Sequence, residues 1–420
     1  MTRPRVAMRQ IDLQEYVTSA PLRLSADELD VLGERSLSLT ITPARGKAGA
    51  YCLTPGATIG ALEIGDLSVV IRPKLDISRV LFLASYAPGA FDLREERFDF
   101  KEEHTLVEAL ALALEAAARR AFARGLLHGY RTEEAALHTV RGRILVAEQI
   151  RRRFGVPVPI EVRYDEFTED ILANRLVKAA AGLLGRMHIR SARARNGLRW
   201  ISAMLGNVTP VQFAPSDVPL VTFDRLNAHY REVVLMARLI LRHWAFEADR
   251  GGTRAAGFLM NMNTVFQEFV TEALREELRV GEHTLCSDKE LSGQRRIYLD
   301  DGDDGGQIRL KPDLTWWDGA TCTFVGDAKY KNVTGERVPN ADLYQLLAYT
   351  TALDVPGGLL VYARGEAAER AYRVRNAGKL LEVVAVDLGG SIDELQASIG
   401  RLAARVRALR AEARRQALAA

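Results

Sequence analysis

Between His104 and about Arg124, apolar residues return every three or four positions. Leu106, Leu110, Ala113 and Ala117 fall on one face, which predicts a helix closed by Gly125. The first hundred residues have a different rhythm. Short alternating runs such as Ser36–Ile41 and Ser68–Arg72 lie between Gly and Pro punctuation and predict strands. Leu53–Gly65 reads as a loop followed by a strand, with Gly56, Gly60 and Gly65 suited to turns or close backbone approach. Past the alanine-rich helix, Thr139–Val146 and Val156–Tyr164 predict short strands. Long helices are expected at Glu169–Leu184 and Asp224–Phe246, with a proline-bearing loop at Val208–Pro219 between them. A further helix spans about Asn263–Arg279, and the texture then changes to strands at Arg295–Leu299, Gln307–Trp317 and Cys322–Tyr330. Asp300–Gly306 is a tight acidic turn between the first two. A helix at Ala341–Ala352, strands at Leu359–Tyr362 and Leu381–Asp387, and a last helix from near Ile392 complete the pattern. The expected fold class is a multidomain α+β and α/β chain. It comprises a β-rich N-terminal domain over residues 1–160, a helical region over 161–255, and a mixed sheet flanked by helices over 256–420.

Composition narrows this picture. Hydrophobic residues make up 48% and charged residues 26%, the balance of a globular protein rather than a disordered one. The net charge of +3 excludes a uniformly basic nucleic-acid coat. Arginine is nonetheless clustered, at Arg186, Arg190, Arg193, Arg195 and Arg199, and again at Arg401, Arg405, Arg407, Arg410, Arg414 and Arg415 beside Glu412. Phosphate contact and a solvated helix face account for each cluster equally well. Cys52, Cys286 and Cys322 are far apart and form no C-x-x-C pair, which argues against a zinc site or a disulfide framework and suits a reducing cytoplasm. Met1–Gln10 lacks the apolar core of a signal peptide, and the longest apolar stretch, near Val80–Ala87, is too short to span a bilayer.

The candidate chemistry lies near Pro312-Asp313 and Asp327-Ala328-Lys329. Residues two apart on a strand share a face, so Asp327 and Lys329 point the same way. A preceding strand ending in Pro-Asp would bring Asp313 beside Asp327. Two carboxylates at one spot repel unless a cation joins them. Mg²⁺, which takes oxygen ligands, would remove that cost, and Lys329 would then reach the attacking water or the scissile phosphate. An Asp-x-Lys triplet alone arises about once by chance in a chain of this length. The preceding Pro-Asp adds weight, and so does the helix that follows, where Gln345 and Tyr349 share a face at i, i+4.

Together these strings resemble the PD-(D/E)XK nucleases, particularly their RecB-like branch. The longer strings resemble the McrC family, the nuclease subunit of McrBC modification-dependent (type IV) restriction systems. They are Val70-Ile-Arg-Pro-Lys74, Arg141-Gly-Arg143, Tyr164 to Arg175, Phe258 to Asn263, Phe266 to Val270, and Gly326 to Lys331. The resemblance spans about residues 50 to 390. It implies a PD-(D/E)XK endonuclease core over 256–420. Asp313 and Asp327 would hold Mg²⁺ with the Ala328 carbonyl as a further ligand, Lys329 would be the catalytic lysine, and Gln345 and Tyr349 would assist. It also implies an AAA+ GTPase ring of the McrB kind as partner, bound through residues 1 to about 160, and double-stranded DNA as substrate. The chain departs from the family where a Phe-Glu pair is usual. Phe266-Gln267-Glu268 puts Gln267 at the glutamate's position and turns Glu268 about 100° away on the helix, so either Gln267 serves the site as a neutral ligand or hydrogen bonder, or Glu268 reaches in from an altered helix.

Other features carry less. His229 and His243 have no metal-ligand spacing. Trp316 and Trp317 suit sheet packing better than base stacking. Lys331 suits the DNA backbone and plain solvation equally, and Arg141 and Arg143 suit a turn near phosphate or near the partner. Ala44-Arg-Gly-Lys47 lacks the phosphate-loop spacing, so a motor would come from another chain. Three functions compete: a restriction nuclease dependent on a GTPase ring, a silent adaptor that only activates the ring, and a stand-alone RecB-like repair nuclease. No base-flipping pocket is evident, so the reading of the DNA modification falls to the partner.

Overall fold

The computed structural model describes residues 9–34, 37–86, 105–154, 156–250, 253–300, 307–331, 338–363 and 370–419. The polar chain start through Met8 and residues 301–306 of the acidic turn lie outside them. The chain divides into two compact units: residues 1–100 with 259–420, and residues 101–258. The first unit is thus discontinuous in sequence, whereas the sequence reading drew three successive segments.

The N-terminal segment is β-rich, as its alternation predicted. It contains β1 (Arg9–Gln14), β2 (Leu22–Arg23), α1 (Ala26–Leu32), β3 (Leu39–Pro43), β4 (Ala50–Pro55), β5 (Thr58–Ile64), β6 (Leu67–Arg72) and α2 (Ile77–Tyr86). Leu53–Pro55 ends a strand rather than forming a loop, because β4 pairs along its length with β3. The loop shrinks to Gly56 and Ala57. β1 runs parallel to β6, with Gln14 opposite Arg72, and β5 turns back antiparallel onto β6.

The second unit opens with α3 (Leu106–Phe122). Thr105 and Glu108 cap it reciprocally, at 3.3 and 3.1 Å. Glu108 also accepts the amides of Arg190 and Ser191 at 2.7 and 2.9 Å, which ties α3 to the start of a later helix. There follow β7 (Gly129–Leu137), β8 (Arg143–Ile144), α4 (Val146–Arg153), β9 (Ile160–Thr168), α5 (Leu172–Leu184), α6 (Ala192–Met204), α7 (Arg231–Arg242) and β10 (Trp244–Arg250). β7, β9 and β8 form one antiparallel sheet. The first basic cluster is therefore largely a helix. α6 buries Ala194, Gly197, Leu198 and Ile201 and leaves Arg193, Arg195 and Arg199 exposed. The expected helix from Asp224 to Phe246 is shorter. Asp224 Oδ1 accepts the amides of Leu226 and Asn227 at 2.8 and 3.1 Å, a local turn that competes with helix. His229 and His243 consequently flank α7 instead of lying on it.

β11 (Thr253–Asn261) leads directly into α8 (Met262–Leu278). Its last residues return the chain to the first unit, where it stands next to β5 in the order β1-β6-β5-β11. Then come β12 (Leu285–Cys286), β13 (Ile297–Asp300), β14 (Gln307–Leu310), β15 (Leu314–Asp318), β16 (Thr321–Lys329), α9 (Asn340–Ala352), β17 (Gly357–Ala363), β18 (Arg370–Arg373), β19 (Leu380–Val386) and α10 (Ile392–Ala419). Six of these strands form a mixed sheet in the order β12-β15-β16-β17-β19-β18. β16, β17 and β19 are parallel, the others antiparallel. β16 and β17 are buried along nearly their whole length, as expected of strands covered by helices on both faces. The single strand expected over Gln307–Trp317 is two strands in two sheets. Pro312 has no amide N–H to give a ladder, and the chain breaks there. Among the described residues no helix is long and apolar enough to cross a membrane.

Candidate active site

The break at Pro312 decides where Asp313 stands. It lies in the loop immediately before β15, not at a strand's end. β15 pairs antiparallel with β16, with Leu314 opposite Gly326, so the residue before Leu314 falls beside the residue after Gly326. Asp313 and Asp327 are thereby neighbours. Asp313 Oδ2 accepts the amide of Ala328 at 2.9 Å. The structure thus brings the Ala328 amide to Asp313.

Asp327 and Lys329 point to the same side of β16, toward α9. The Lys329 ammonium contacts Asp327 Oδ2 and donates to Gln345 Oε1 at 2.9 Å. Gln345 Nε2 donates to the Tyr349 hydroxyl at 2.7 Å, and that hydroxyl donates to the carbonyl of Lys311 at 3.1 Å. One row of polar contacts therefore runs from Asp327 through Lys329, Gln345 and Tyr349 back to the strand break. These four residues and Asp313 converge here.

The electrostatics are those of a crowded, dry carboxylate pair. Burial, then the neighbouring Asp327 charge, pushes the Asp313 carboxyl up to about 7. Burial also raises Asp327, against the pull of Lys329. Burial alone would lower Lys329, but the carboxylates of Asp327, Asp313 and Asp342 together outweigh it and keep the ammonium charged. Asp327 is 1% exposed, and its Oδ2 has no hydrogen bond of proper geometry although the ammonium touches it.

Two more carboxylates were not singled out by sequence. Asp342 on α9 is buried and accepts Lys331 Nζ at 2.6 Å and the Tyr362 hydroxyl. Its charge reaches both Asp327 and Lys329. The spacing Asp342, Gln345, Tyr349 would have found it, since i, i+3 and i+7 share a helix face. Glu15 is 2% exposed and accepts the Tyr330 hydroxyl at 3.0 Å, a contact with no local signal in the sequence.

Other predicted residues stand apart from the cluster. Gln267 is half-buried on α8, and among the described residues no hydrogen bond joins its side chain to the aspartates. Glu268 pairs with Lys289 at 3.0 Å. Lys331 is pinned to Asp342 rather than simply solvated. Arg141 and Arg143 belong to the other unit. There Arg141 lies over the Tyr164 ring at 4.2 Å and 3.5 Å from Glu166, and Arg143 is exposed. The C-terminal arginines are largely consumed within the protein. Arg410 and Arg414 pair with Asp318, Arg405 with Glu382, and Arg415 with Glu412. Trp316 and Trp317 are buried, and Arg410 covers the Trp316 ring at 4.1 Å.

The donor set fits a hard divalent cation. Two adjacent carboxylates are held above their ordinary range, and one oxygen lacks a hydrogen bond. A cation there would relieve the repulsion between the two carboxylates. Among the described residues no cluster of three or more His, Cys, Asp or Glu side chains is arranged around a metal.

The chain is 22% identical over 336 residues to a protein of Escherichia coli strain K12 named type IV methyl-directed restriction enzyme EcoKMcrBC, covering 76% of this chain and 94% of that protein. Its fold is similar, at a TM-score of 0.59 and 17% identity, to a chain in a refined half-complex from a tetradecameric assembly of Thermococcus gammatolerans McrB AAA+ hexamers with bound McrC. That match covers 94% of this chain and 100% of the other. A family model described as the McrBC 5-methylcytosine restriction system component matches residues 53–363, and the chain belongs to that family.

Proposed function

We propose that the chain is the Mg²⁺-dependent endonuclease subunit of a McrBC-like restriction system, with a PD-(D/E)XK core. It cleaves modified foreign double-stranded DNA together with an AAA+ GTPase ring whose GTPase it stimulates. The observation that carries the reading is the meeting of Asp313, from the loop before β15, with Asp327 of β16 beside the Lys329 ammonium. Asp313 and Asp327 would hold the ion, with the Ala328 carbonyl as a further ligand. When bound, the ion supplies an activated water and charge neutralisation at the phosphate. Lys329 keeps its proton in this site and offers a positive charge to the phosphate oxygens as negative charge grows on them. Gln345 and Tyr349 fix the ammonium's position, so that little reorganisation is needed during the reaction. Three free thiols suit a cytoplasmic setting.

The surface of the second unit supports the partner assignment. α4 buries no residue; Val146 and Ile150, one turn apart on it, are 62% and 57% exposed, and Phe154, just past its end, is 87% exposed. On the neighbouring sheet Tyr130 and Phe167 are also exposed, with ring centroids 5.2 Å apart. An exposed apolar i, i+4 pair with an aromatic residue at the helix end is an apolar stripe suited to docking into a groove. It falls within the 1–160 segment assigned to the ring.

One observation favours a silent adaptor: Gln267 is neutral and Glu268 is engaged by Lys289. The test is DNA cleavage with Mg²⁺, GTP and the partner ring, comparing the wild type with Asp327→Ala. Cleavage by the wild type alone, with GTPase stimulation kept by both, is the expected result. Stimulation by both without cutting by either would leave the adaptor reading, and cutting without any partner would leave a stand-alone repair nuclease.

A further inference from the structure

The end of β16 is gripped from residues more than three hundred positions away. The Tyr16 hydroxyl donates to the backbone carbonyl of Tyr330 at 2.7 Å. In return the Tyr330 hydroxyl donates to Glu15 Oε1 at 3.0 Å. Two consecutive residues thus hold the residue after Lys329 by both its backbone and its side chain. Glu15 Oε1 also accepts the amide of Lys74 at 2.7 Å, and the Lys74 ammonium lies 4.2 Å from the centre of the Tyr330 ring. Glu15 follows β1 and Lys74 follows β6, two strands paired in parallel. A whole sheet edge therefore ends on Tyr330.

The bracket is held against resistance. Tyr16 has φ of 61°, a left-handed conformation that is strained for a bulky side chain. Its amide is fixed to the Pro55 carbonyl at 2.9 Å and that of Glu15 to the Arg72 carbonyl at 3.1 Å, so the strain is imposed by the strands around it. Glu15 is buried with one oxygen lacking any hydrogen-bond partner, a further cost that simple packing would avoid. A strained tyrosine and an under-satisfied carboxylate both aim at one residue, and that residue adjoins Lys329. Tyr330 faces the side of the sheet opposite to Lys329, where its ring meets Phe266 at 6.1 Å between centroids. The bracket can thus set the height of the strand end without touching the reacting groups.

We infer that Glu15 and Tyr16 are positioning residues for Lys329, acting through Tyr330, so that the N-terminal strands are a working part of the cutting centre. This rests on the nuclease reading above. The inference also gives a place to the Val70–Lys74 string, which no catalytic role absorbed.

The test is single-turnover DNA cleavage by the full chain with partner ring, GTP and Mg²⁺, for the wild type, Lys329→Ala, Tyr16→Phe and Glu15→Gln. Wild-type cutting that Lys329→Ala abolishes secures the nuclease reading independently. Tyr16→Phe and Glu15→Gln are then expected to lower the cleavage rate constant by about 10- to 100-fold, the scale of a misplacement near 1 Å. DNA affinity, measured with each change on an Asp327→Ala background, should stay within about twofold. Poorly folded enzyme would instead lose reaction amplitude and keep its rate constant, which would overturn the inference. Rate constants within about twofold of wild type would overturn it as well. A wild type that does not cut removes the nuclease reading and this inference together.

Discussion

Asp313 reaches across the strand pair to take the amide hydrogen of Ala328 at 2.9 Å, and so comes to lie beside Asp327. That hydrogen bond favours the ionised form of Asp313, but burial and the second carboxylate outweigh it. The folded state therefore holds a proton there that the unfolded chain gives up. Asp313 shifts from an ordinary 3.8 to about 7, so the metal-free protein should lose stability as pH rises from about 4 to about 7. The burden is on the order of a few kcal/mol at neutral pH, and it is shared with Asp327. Asp313→Asn should flatten this slope and stabilise the metal-free protein while abolishing cleavage. Urea denaturation at several pH values without metal checks it, and an unchanged slope in the variant would count against the coupled pair.

Mg²⁺ should act on the same group. An ion held by Asp313 requires its carboxylate, so binding displaces the proton. Apparent Mg²⁺ affinity should rise about tenfold per pH unit below about 7 and level off above it. Calorimetric titration in buffers of different ionisation enthalpy should register close to one proton released per ion near pH 6. No proton release would mean that the ion binds elsewhere.

Lys329 depends on α9 for its direction. Gln345 joins its ammonium to Tyr349, which is anchored on the Lys311 carbonyl. Gln345→Leu should lower the cleavage rate by about 10- to 100-fold with little change in DNA affinity. Tyr349→Phe removes two hydrogen bonds and should cost about 1–2 kcal/mol of stability, with a smaller kinetic effect. Equal kinetic losses in both, or none in Gln345→Leu, would show that the lysine is oriented by Asp327 alone.

How much of this centre could be read in the sequence follows from distance along the chain. Asp327 and Lys329 obey the two-residue period of a strand, and Gln345 and Tyr349 the four-residue return of a helix, so both pairs were legible. Asp313 was located correctly beside Asp327, but on a continuous strand. The missing amide of Pro312 had been read as part of a motif rather than as a break in a ladder. Asp342 was overlooked because an acidic residue in a helix's first turn has an ordinary explanation at the positive end of the dipole. Glu15, Tyr16 and Lys74 could not be found this way, since contacts with Tyr330 from the far end of the chain leave no periodic trace. The sheet of β7 and β9 was partly missed for another reason. Its strands are half-buried and rich in charge, with pairs such as Arg163 and Glu134 replacing the apolar alternation.

The second unit should be sensitive to Asp170. That buried carboxylate takes two hydrogen bonds from Arg175, at 2.7 and 2.9 Å, others from the amide and hydroxyl of Thr209 at 3.0 and 2.6 Å, and one from Arg131. The Arg175 guanidinium, supported by Thr209 and Arg131, holds it well below the usual carboxylate range. A depressed acid stabilises the fold above its unfolded value near 3.8 and withdraws that support as pH falls below it. Asp170→Asn should cost about 1–3 kcal/mol at neutral pH, because it removes the charge from a hydrogen-bonded network that half-buried Arg131 and Arg175 share. Denaturation at pH 7 and at pH 3 checks both halves, and the variant should differ less from wild type at the lower pH.

The stripe on α4 separates partner docking from stability. Ile150 and Phe154 are exposed and support no core, so Ile150→Glu and Phe154→Asp should change stability by no more than about 0.5 kcal/mol. If the stripe docks on the GTPase ring, a charge placed there meets an apolar groove and must be desolvated without a partner. Stimulation of the ring's GTPase should then fall at least about tenfold, together with partner-dependent cleavage, while the protein's own melting curve stays in place. Arg151→Ala on the same helix is the internal comparison. Its guanidinium is bound to Glu148 beside the stripe, and its loss removes charge without disturbing the apolar surface. If Arg151→Ala impairs stimulation and the two apolar changes do not, the ring is held by charge rather than by the stripe. If none of the three has an effect, the contact lies on another surface of the chain.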